Sequence, residues 1–147
     1  MKQVKHILGT KGYDVWSTTP GASVFEALEL MAAKHVGALV VLKGGRVVGL
    51  ISERDYARKI ILKGRTSRET PVKEIMTSRV IYVTPDQTIE SCMALMTETH
   101  IRHLPVMIDE RLIGIVSIGD LVKAIISDQK ALIEQLENYI LQHTSIT

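Results

Sequence analysis

The sequence predicts an α+β (α/β) fold made of two consecutive units, each running strand, helix, strand, strand, helix. Residues 19–55 and 84–120 align without a gap at an offset of 65 positions, with 11 identities in 37 aligned residues. Within both copies, short β-prone runs alternate with apolar stripes at helical spacing. Half of a 147-residue chain buries too little surface to be stable alone. We therefore expect the two halves to fold as one interlocked module.

Composition narrows the class of protein. Hydrophobic content of 46% and charged content of 23% are typical of a globular domain, and the net charge of +2 gives no reason to expect nucleic acid or membrane as a partner. Cys92 is the only cysteine, which excludes an internal disulfide and argues against a cysteine-based metal cluster. No apolar run suits a signal peptide or approaches the roughly 20 residues of a membrane span. We expect a soluble cytoplasmic protein.

Each copy opens with a short strand followed by a helix. The predicted strands, Tyr13–Thr18 and Val80–Val83, end at Thr-Pro, because proline cannot donate to a strand ladder and restrains the residue before it. Ser23 and Thr88 then serve as N-caps. Apolar residues follow at helical spacing. They are Val24, Ala27, Leu28, Met31 and Ala32 in the first copy, and Ile89, Cys92, Met93 and Met96 in the second.

A β-hairpin is predicted next in each copy, most strongly in the first, where Gly44-Gly45 supplies the turn. Gly49 and Gly114 lie inside the last strand of each hairpin, which indicates a bulge or a close approach of another backbone or a ligand. The predicted hairpin strands are Ala38–Leu42 with Val47–Ile51, and Leu104–Ile108 with Leu112–Val116.

The last strand of each copy runs directly into a helix through a Gly-x-x-Ser-x-x-Asp junction. These junctions are Gly49, Ser52 and Asp55, and Gly114, Ser117 and Asp120. Free N–H groups at a helix start favour an anion such as phosphate, and a carboxylate one turn further can accept hydrogen bonds from both hydroxyls of a ribose. The alternative is a plain capping box, which needs no ligand. A cap does not require the repeated glycine, so both interpretations stay open.

The remaining motifs and charged groups of the sequence say less about function than the two junctions do. The sequence contains none of the common nucleophile, P-loop, zinc-protease or dinucleotide motifs, so we do not expect an enzyme. His35 and His100 are interpreted as polar residues at helix ends. The basic group at Arg54, Arg58 and Lys59 indicates either a solvated face or phosphate contact. The tail continues at helical spacing and either covers its own core or packs on another chain.

Together these features resemble a cystathionine β-synthase (CBS) domain pair, or Bateman module. The resemblance rests on both junctions, the Thr-Pro pairs, the Met-bearing helices and the segments 36–41 and 101–106. It implies two βαββα units related by a pseudo-two-fold axis, with two clefts between them. The implied divisions are a first CBS motif at 8–62, a linker with a short helical turn at 63–79, a second motif at 80–127, and a helical tail at 128–147.

The resemblance also implies a function. Such pairs bind adenosine-containing ligands, and we expect AMP first, with ADP, ATP, NAD(H) or S-adenosylmethionine as alternatives. The chain is then a stand-alone regulatory module that signals through the geometry of a homodimer or through a regulated partner protein. The alternative is an interaction scaffold that binds no ligand.

The resemblance assigns roles residue by residue. In one cleft Asp120 is expected to bind the ribose and Ser117 the phosphate or ribose, while His103 is aimed at phosphate. The adenine of this cleft is expected to lie among Val80, Ile81, Tyr82 and Ile101. The other cleft is expected to contain Ser52, Asp55, the Tyr13–Trp16 run with Val15, and Val36, Gly37 and Ala38, with Arg54 as a phosphate clamp. Arg102, Pro105 and Gly119 complete the expected site. Gly37-Ala38 aligns with Arg102-His103, and Glu53-Arg54 with Ile118-Gly119, so the clefts are expected to differ.

Overall fold

Two small β-sheets lie at the centre of the structure, one from each copy of the repeat. The computed structural model describes residues 2–144. Strands β1 and β2 pair in parallel, β2 and β3 pair antiparallel, and β4 and β5 form the second sheet. The strands are β1 Ser17–Thr18, β2 Ala38–Lys43, β3 Arg46–Ser52, β4 His103–Ile108 and β5 Arg111–Ser117. The α-helices are α1 Val4–Lys11, α2 Val24–Lys34, α3 Glu53–Tyr56, α4 Ile89–Thr99 and α5 Ile118–Thr144, and a π-helical segment, Ala57–Ile61, continues α3. The predicted α+β class is confirmed.

The helix boundaries follow the predicted caps. The Ser23 hydroxyl accepts a hydrogen bond from the N–H of Glu26, and the Thr88 hydroxyl accepts one from Ser91, each at 3.1 Å. The helices that start there end at His35 and His100, whose φ angles of 55° and 57° lie in the left-handed region. The interpretation of both histidines as helix-end residues is confirmed.

Both predicted hairpins form, and each contains an irregularity beside its glycine. Val41 lies opposite Gly49 and Val106 opposite Gly114, and in both hairpins the register shifts at the next residue. A Cβ atom on Gly49 would lie 3.1 Å from the carbonyl oxygen of Thr77, so the predicted close approach of backbone is confirmed there, whereas on Gly114 it would meet the Leu8 side chain.

The predicted first strands were mostly wrong. Only Ser17 and Thr18 of the first run pair with β2. Of the second run only Val83 pairs with a strand, through a single bridge to Val106 of β4. Among the earlier residues of the two runs, Asp14, Trp16, Val80 and Ile81 line the clefts described below.

The two halves exchange their leading segments. Val4, Ile7 and Leu8 of α1 are buried in the core of the second repeat, with Leu104 and Val116 among others. The second segment is the short 3₁₀ turn Val72–Glu74 after Pro71, whose Val72 lies with Ile75 in the core of the first repeat. Ile7 and Val72 are equivalent at the 65-residue offset. Each core therefore contains residues that precede the other repeat, and the halves are interlocked as expected.

Helix α5 extends well beyond the body of the molecule. Leu121 is fully buried, but the apolar side chains of the last four turns are 53–63% exposed. They are Leu132, Ile133, Leu136, Tyr139, Ile140 and Leu141. The tail therefore does not cover the core of its own chain within residues 2–144. Among the helices that the structure describes, none has the length and apolar character needed to cross a membrane.

Candidate functional site

Two clefts lie between the repeats, and each begins at one Ser-x-x-Asp junction. We call them the Asp55 cleft and the Asp120 cleft. Their volumes are about 390 and 400 Å³, within the range of small-molecule sites. The Asp55 cleft is lined by Leu50, Ser52, Arg54, Asp55, Arg58, Lys59, Thr77, Arg79, Val80, Ile81, Thr99, His100, Ile101, Arg102 and His103. The Asp120 cleft is lined by Lys11, Gly12, Asp14, Trp16, His35, Val36, Gly37, Ala38, His103, Ile115, Ser117 and Asp120.

The assignment of walls to junctions was wrong, because each junction faces the other repeat. Val80, Ile81 and Ile101 lie beside Asp55, whereas Trp16 and Val36 lie beside Asp120. Expected site residues that share the Asp55 cleft are Ser52, Arg54, Asp55, Val80, Ile81, Ile101, Arg102 and His103. Those that share the Asp120 cleft are Trp16, Val36, Gly37, Ala38, His103, Ser117 and Asp120.

Two contacts explain why each junction faces the other repeat. Thr77 exchanges two hydrogen bonds with Leu50, at 2.9 and 3.0 Å, which places the segment after Thr77 beside the end of β3. On the opposite side, the ammonium of Lys11 donates to the carbonyl oxygen of Ile115 at 3.0 Å, beside the end of β5. The segment that leads into each repeat therefore runs past the junction of the other one.

Five of the expected site residues lie outside both clefts. Tyr13 and Tyr82 are 60% and 56% exposed, and neither they nor Val15 line a cleft. Pro105 is buried in β4, where its carbonyl oxygen accepts a hydrogen bond from Val83, and Gly119 lies in the first turn of α5. Tyr13, Val15 and Tyr82 were included because whole runs were carried over, and of those runs only Asp14, Trp16, Val80 and Ile81 line a cleft.

In the Asp55 cleft the junction forms a complete capping box. Oδ2 of Asp55 accepts hydrogen bonds from the N–H and the hydroxyl of Ser52, at 2.9 and 3.1 Å, and the Ser52 hydroxyl accepts one from the N–H of Asp55. Oδ1 lies 3.1 Å from the ammonium of Lys59. The Asp55 side chain is 14% exposed at the floor of the cleft, so the carboxylate is held in one orientation.

In the Asp120 cleft the same box is joined by a residue from α1. Oδ2 of Asp120 accepts hydrogen bonds from the N–H of Ser117 at 2.8 Å and from the ammonium of Lys11 at 2.7 Å. Burial raises the pKa of Asp120. The hydrogen bonds from Lys11 and Ser117 and the charge of Lys11 lower this pKa by more than burial raises it, so the net shift is downward. Asp120 is therefore ionised at neutral pH.

His103 lines both clefts and lies at the contact between the repeats. A Cβ atom on Gly37 would be 3.4 Å from Nε2 of His103. Burial is the largest influence and lowers the pKa of His103; Asp120 raises it, and Lys11 and Arg102 lower it further. Because the pKa of His103 is lowered from 6.5, the imidazole is neutral at pH 7. Without a bound anion it therefore offers hydrogen bonds but no charge.

The expected site omitted several charged residues. Arg58, Lys59 and Arg79 line the Asp55 cleft, while Lys11 and Asp14 line the Asp120 cleft. A signal for four of them was present in the sequence, since Arg58 and Lys59 belong to the basic group that includes Arg54. Asp14 and Arg79 are equivalent at the 65-residue offset and directly precede Val15 and Val80.

Comparisons with known proteins agree with this architecture. The CBS domain family model matches residues 4–62 and 72–127. The CBS domain-containing protein CBSX3, mitochondrial, of Arabidopsis thaliana is 44% identical over 131 residues, which cover 86% of this chain and 63% of the relative. The chain thus spans less than two thirds of that protein. Because that relative is mitochondrial, the cytoplasmic location of this chain stays a prediction.

Solved structures match closely as well. A protein with CBS domains from Burkholderia ambifaria MC40-6 has a TM-score of 0.85 and 49% identity, covering 87% of this chain and 96% of its own. The CBS domain pair of protein MJ0100, solved in complex with 5′-methylthioadenosine and S-adenosyl-L-methionine, has a TM-score of 0.78 and 25% identity, covering 87% and 98%.

The fold and its paired clefts define a two-repeat α+β module. The chain belongs to the CBS domain family and contains one CBS pair.

Proposed function

We propose that the chain is a regulatory module, without catalytic activity, that binds adenosine-containing ligands in its two clefts. The observation that carries the proposal is the matched position of Asp55 and Asp120. Each carboxylate is 14–18% exposed at a helix start and faces apolar side chains of the other repeat. This arrangement suits a ribose at the carboxylate and a base between the repeats. The adenosyl ligands of protein MJ0100 support the same class of ligand.

A ligand in either cleft contacts both repeats, so its binding energy depends on how the repeats are arranged. A ligand shifts the equilibrium between two arrangements only by its difference in affinity for them. We propose that this shift alters the geometry of a homodimer or the affinity for a regulated partner protein. AMP, ADP, ATP, NAD(H) and S-adenosylmethionine are the ligands to test, with AMP first as the resemblance implies.

The test is calorimetric titration of ligand-free protein with these five compounds, together with melting temperatures. A compound at 100 times its Kd stabilises the folded state by about 2.7 kcal/mol, which raises the melting temperature by several degrees. Asp55→Asn and Asp120→Asn should each remove binding at one cleft. Asp109→Asn is the matched control, because Asp109 lies in the β4–β5 turn outside both clefts. Failure of all five compounds to bind would contradict the proposal.

The second candidate is a scaffold that binds no ligand, and one observation favours it. The Ser52–Asp55 pair already satisfies its backbone in the capping box, so the junction has a structural role without any ligand. This candidate predicts that the Asp55→Asn and Asp120→Asn variants lose stability with and without nucleotide to the same extent. Ligand-dependent differences between the variants and the parent chain exclude it.

We also propose that the module pairs with a second copy of itself through the tail of α5. The tail from residue 129 to 144 is about 24 Å long at 1.5 Å per residue and carries an unpartnered apolar stripe. Lys130 and Glu137 are two turns apart along one edge of the stripe. Antiparallel pairing centred beside Ile133 places Lys130 of each copy opposite Glu137 of the other. This charge complementarity favours a second copy as the occupant.

A further inference from the structure

The Asp55 cleft concentrates positive charge. The side chains of Arg54, Arg58, Arg79 and Arg102 line it together with Lys59. Lys59 is paired with Asp55, but within residues 2–144 no carboxylate oxygen lies within 4.0 Å of the four guanidinium groups. Four uncompensated guanidinium groups around one cavity form a site for an anion with several charges.

The arginine side chains are close enough to affect one another. Arg58 lowers the pKa of Arg54 most, burial contributes next, and Arg102 adds to the effect, while Asp55 opposes it. Arg54 also reaches across the cleft, where its Nη1 donates to the carbonyl oxygen of His100 at 3.2 Å. Mutual repulsion of this kind is relieved when an anion binds, and guanidinium groups bind phosphate through paired hydrogen bonds.

The Asp120 cleft is built on the same plan with the opposite charge balance. Its only lysine or arginine is Lys11, which is paired with Asp120, and Asp14 adds a second carboxylate. Asp14 occupies the position that Arg79 occupies in the Asp55 cleft, and Gly37 occupies that of Arg102. Phosphate charges that are attracted by the first cleft are therefore repelled or left unpaired in the second.

We propose that the two clefts select different classes of adenosyl ligand, which deepens the proposed function and rests on it. The Asp55 cleft takes a nucleotide with two or more phosphates, such as ADP or ATP. The Asp120 cleft takes an adenosyl compound without phosphate, either neutral or positively charged. For the Asp55 cleft this replaces AMP, the first expectation from the resemblance, with a polyphosphate nucleotide.

The proposal is tested by titrating ATP, AMP, 5′-methylthioadenosine and inorganic tripolyphosphate into the ligand-free full chain. ATP should bind one site at least about tenfold more tightly than AMP, because two more phosphates meet the guanidinium groups. Asp55→Asn should remove that site and Asp120→Asn should retain it. 5′-Methylthioadenosine should show the reverse dependence. The affinity for ATP should also fall with added salt, since the cations of the cleft are partly exposed.

Two variants exchange the charge at equivalent positions. Arg79→Asp should lower the affinity for ATP about tenfold or more and change that for 5′-methylthioadenosine little. Asp14→Arg should let ATP enter the Asp120 cleft as a second site. Arg46→Asp is the matched control for Arg79→Asp, because it makes the same change from a positive to a negative charge. Arg46 is exposed and lies outside both clefts, so this variant should leave ATP binding unchanged. All three positions are exposed, so these changes leave the cores intact.

The outcomes separate this inference from the proposed function. Equal affinities for ATP and AMP, or an ATP site that disappears in Asp120→Asn, overturn the inference while adenosyl binding stands. Binding of tripolyphosphate without any adenosyl compound overturns the proposed function and leaves only an anion site. If neither tripolyphosphate nor any adenosyl compound binds, both proposals are wrong.

Discussion

The ammonium of Lys11 lies 2.7 Å from Oδ2 of Asp120 and 3.0 Å from the carbonyl oxygen of Ile115. A residue at the end of α1 is thereby fixed at the junction where β5 passes into α5. The contact joins sequence positions 109 apart. It holds Lys11, which lines the Asp120 cleft, against the carboxylate of Asp120.

Replacing Lys11 with methionine keeps an unbranched side chain one atom shorter and removes the charge. We expect Lys11→Met to lose about 0.5–1 kcal/mol of stability at pH 7, a value limited by the partial exposure of both groups. The lowered pKa of Asp120 stabilises the fold above the unfolded-state value of about 3.9, and this contribution is lost as pH falls through the folded value. Urea unfolding at pH 7 and pH 3 should show that the difference between variant and parent shrinks in acid.

Lys5→Met is the control for this experiment, because Lys5 pairs with Asp86 at 3.5 Å and both side chains are more than half exposed. It should change stability less than Lys11→Met at pH 7. Equal effects of the two substitutions would contradict a specific role for the contact between Lys11 and Asp120.

His103 should make stability depend on pH near neutrality. Burial above all lowers its pKa in the folded state, while the facing groups Asp120, Lys11 and Arg102 contribute in both directions. The folded chain therefore binds the proton less readily than the unfolded chain, and stability falls as pH decreases below about 6.5. We expect His103→Asn to flatten this part of the stability profile. Chemical unfolding between pH 5 and 8 measures it, and a profile unchanged by the substitution would contradict the prediction.

Gly49 and Gly114 should differ in their tolerance of a methyl group. On Gly49 a Cβ atom meets the sulfur of Met76 and also the carbonyl oxygen of Thr77 at 3.1 Å, whereas on Gly114 the three nearest atoms all belong to the Leu8 side chain. Backbone yields less than a flexible side chain. We expect Gly49→Ala to cost about 1–3 kcal/mol and Gly114→Ala less, measured by urea unfolding.

A double variant separates the two contacts at Gly49. Adding Met76→Ala should recover part of the loss in Gly49→Ala, and the remainder reports the clash with the backbone of Thr77. Gly21→Ala is the control, since nothing lies within 4 Å of its Cβ position, and it should be nearly neutral. A Gly49→Ala variant as stable as this control would contradict the close packing.

The tail of α5 should control the oligomeric state. Sedimentation of the full chain should give a dimer, and Leu136→Asp, which places a charge in the apolar stripe, should give a monomer. Lys130→Glu and Glu137→Lys should each weaken the dimer, and their combination should restore it. A monomeric parent chain, or a dimer insensitive to Leu136→Asp, assigns the stripe to a different partner or to none.

The sequence predicted the local elements better than their arrangement. Periodicity and capping residues located the helices after Ser23 and Thr88, because these signals depend only on neighbouring residues. The repeat could not show which copy a cleft wall belongs to, since an offset of 65 is equally consistent with walls from the same or the other half. Asp14 was missed because it lies in a run that resembled a strand, and Arg79 because it is the last residue of the predicted linker.

The exchanged leading segments also determine how this architecture can be reused. Leu8 fills the space beneath Gly114 in the other half, so an excised repeat would lose part of its own core and carry along part of its neighbour's. A chimaera joined at the repeat boundary would combine cores that did not evolve together. Transplanting the module into another protein therefore requires the whole segment from α1 through the first turns of α5, and the two copies, once duplicated, can diverge only as a matched pair.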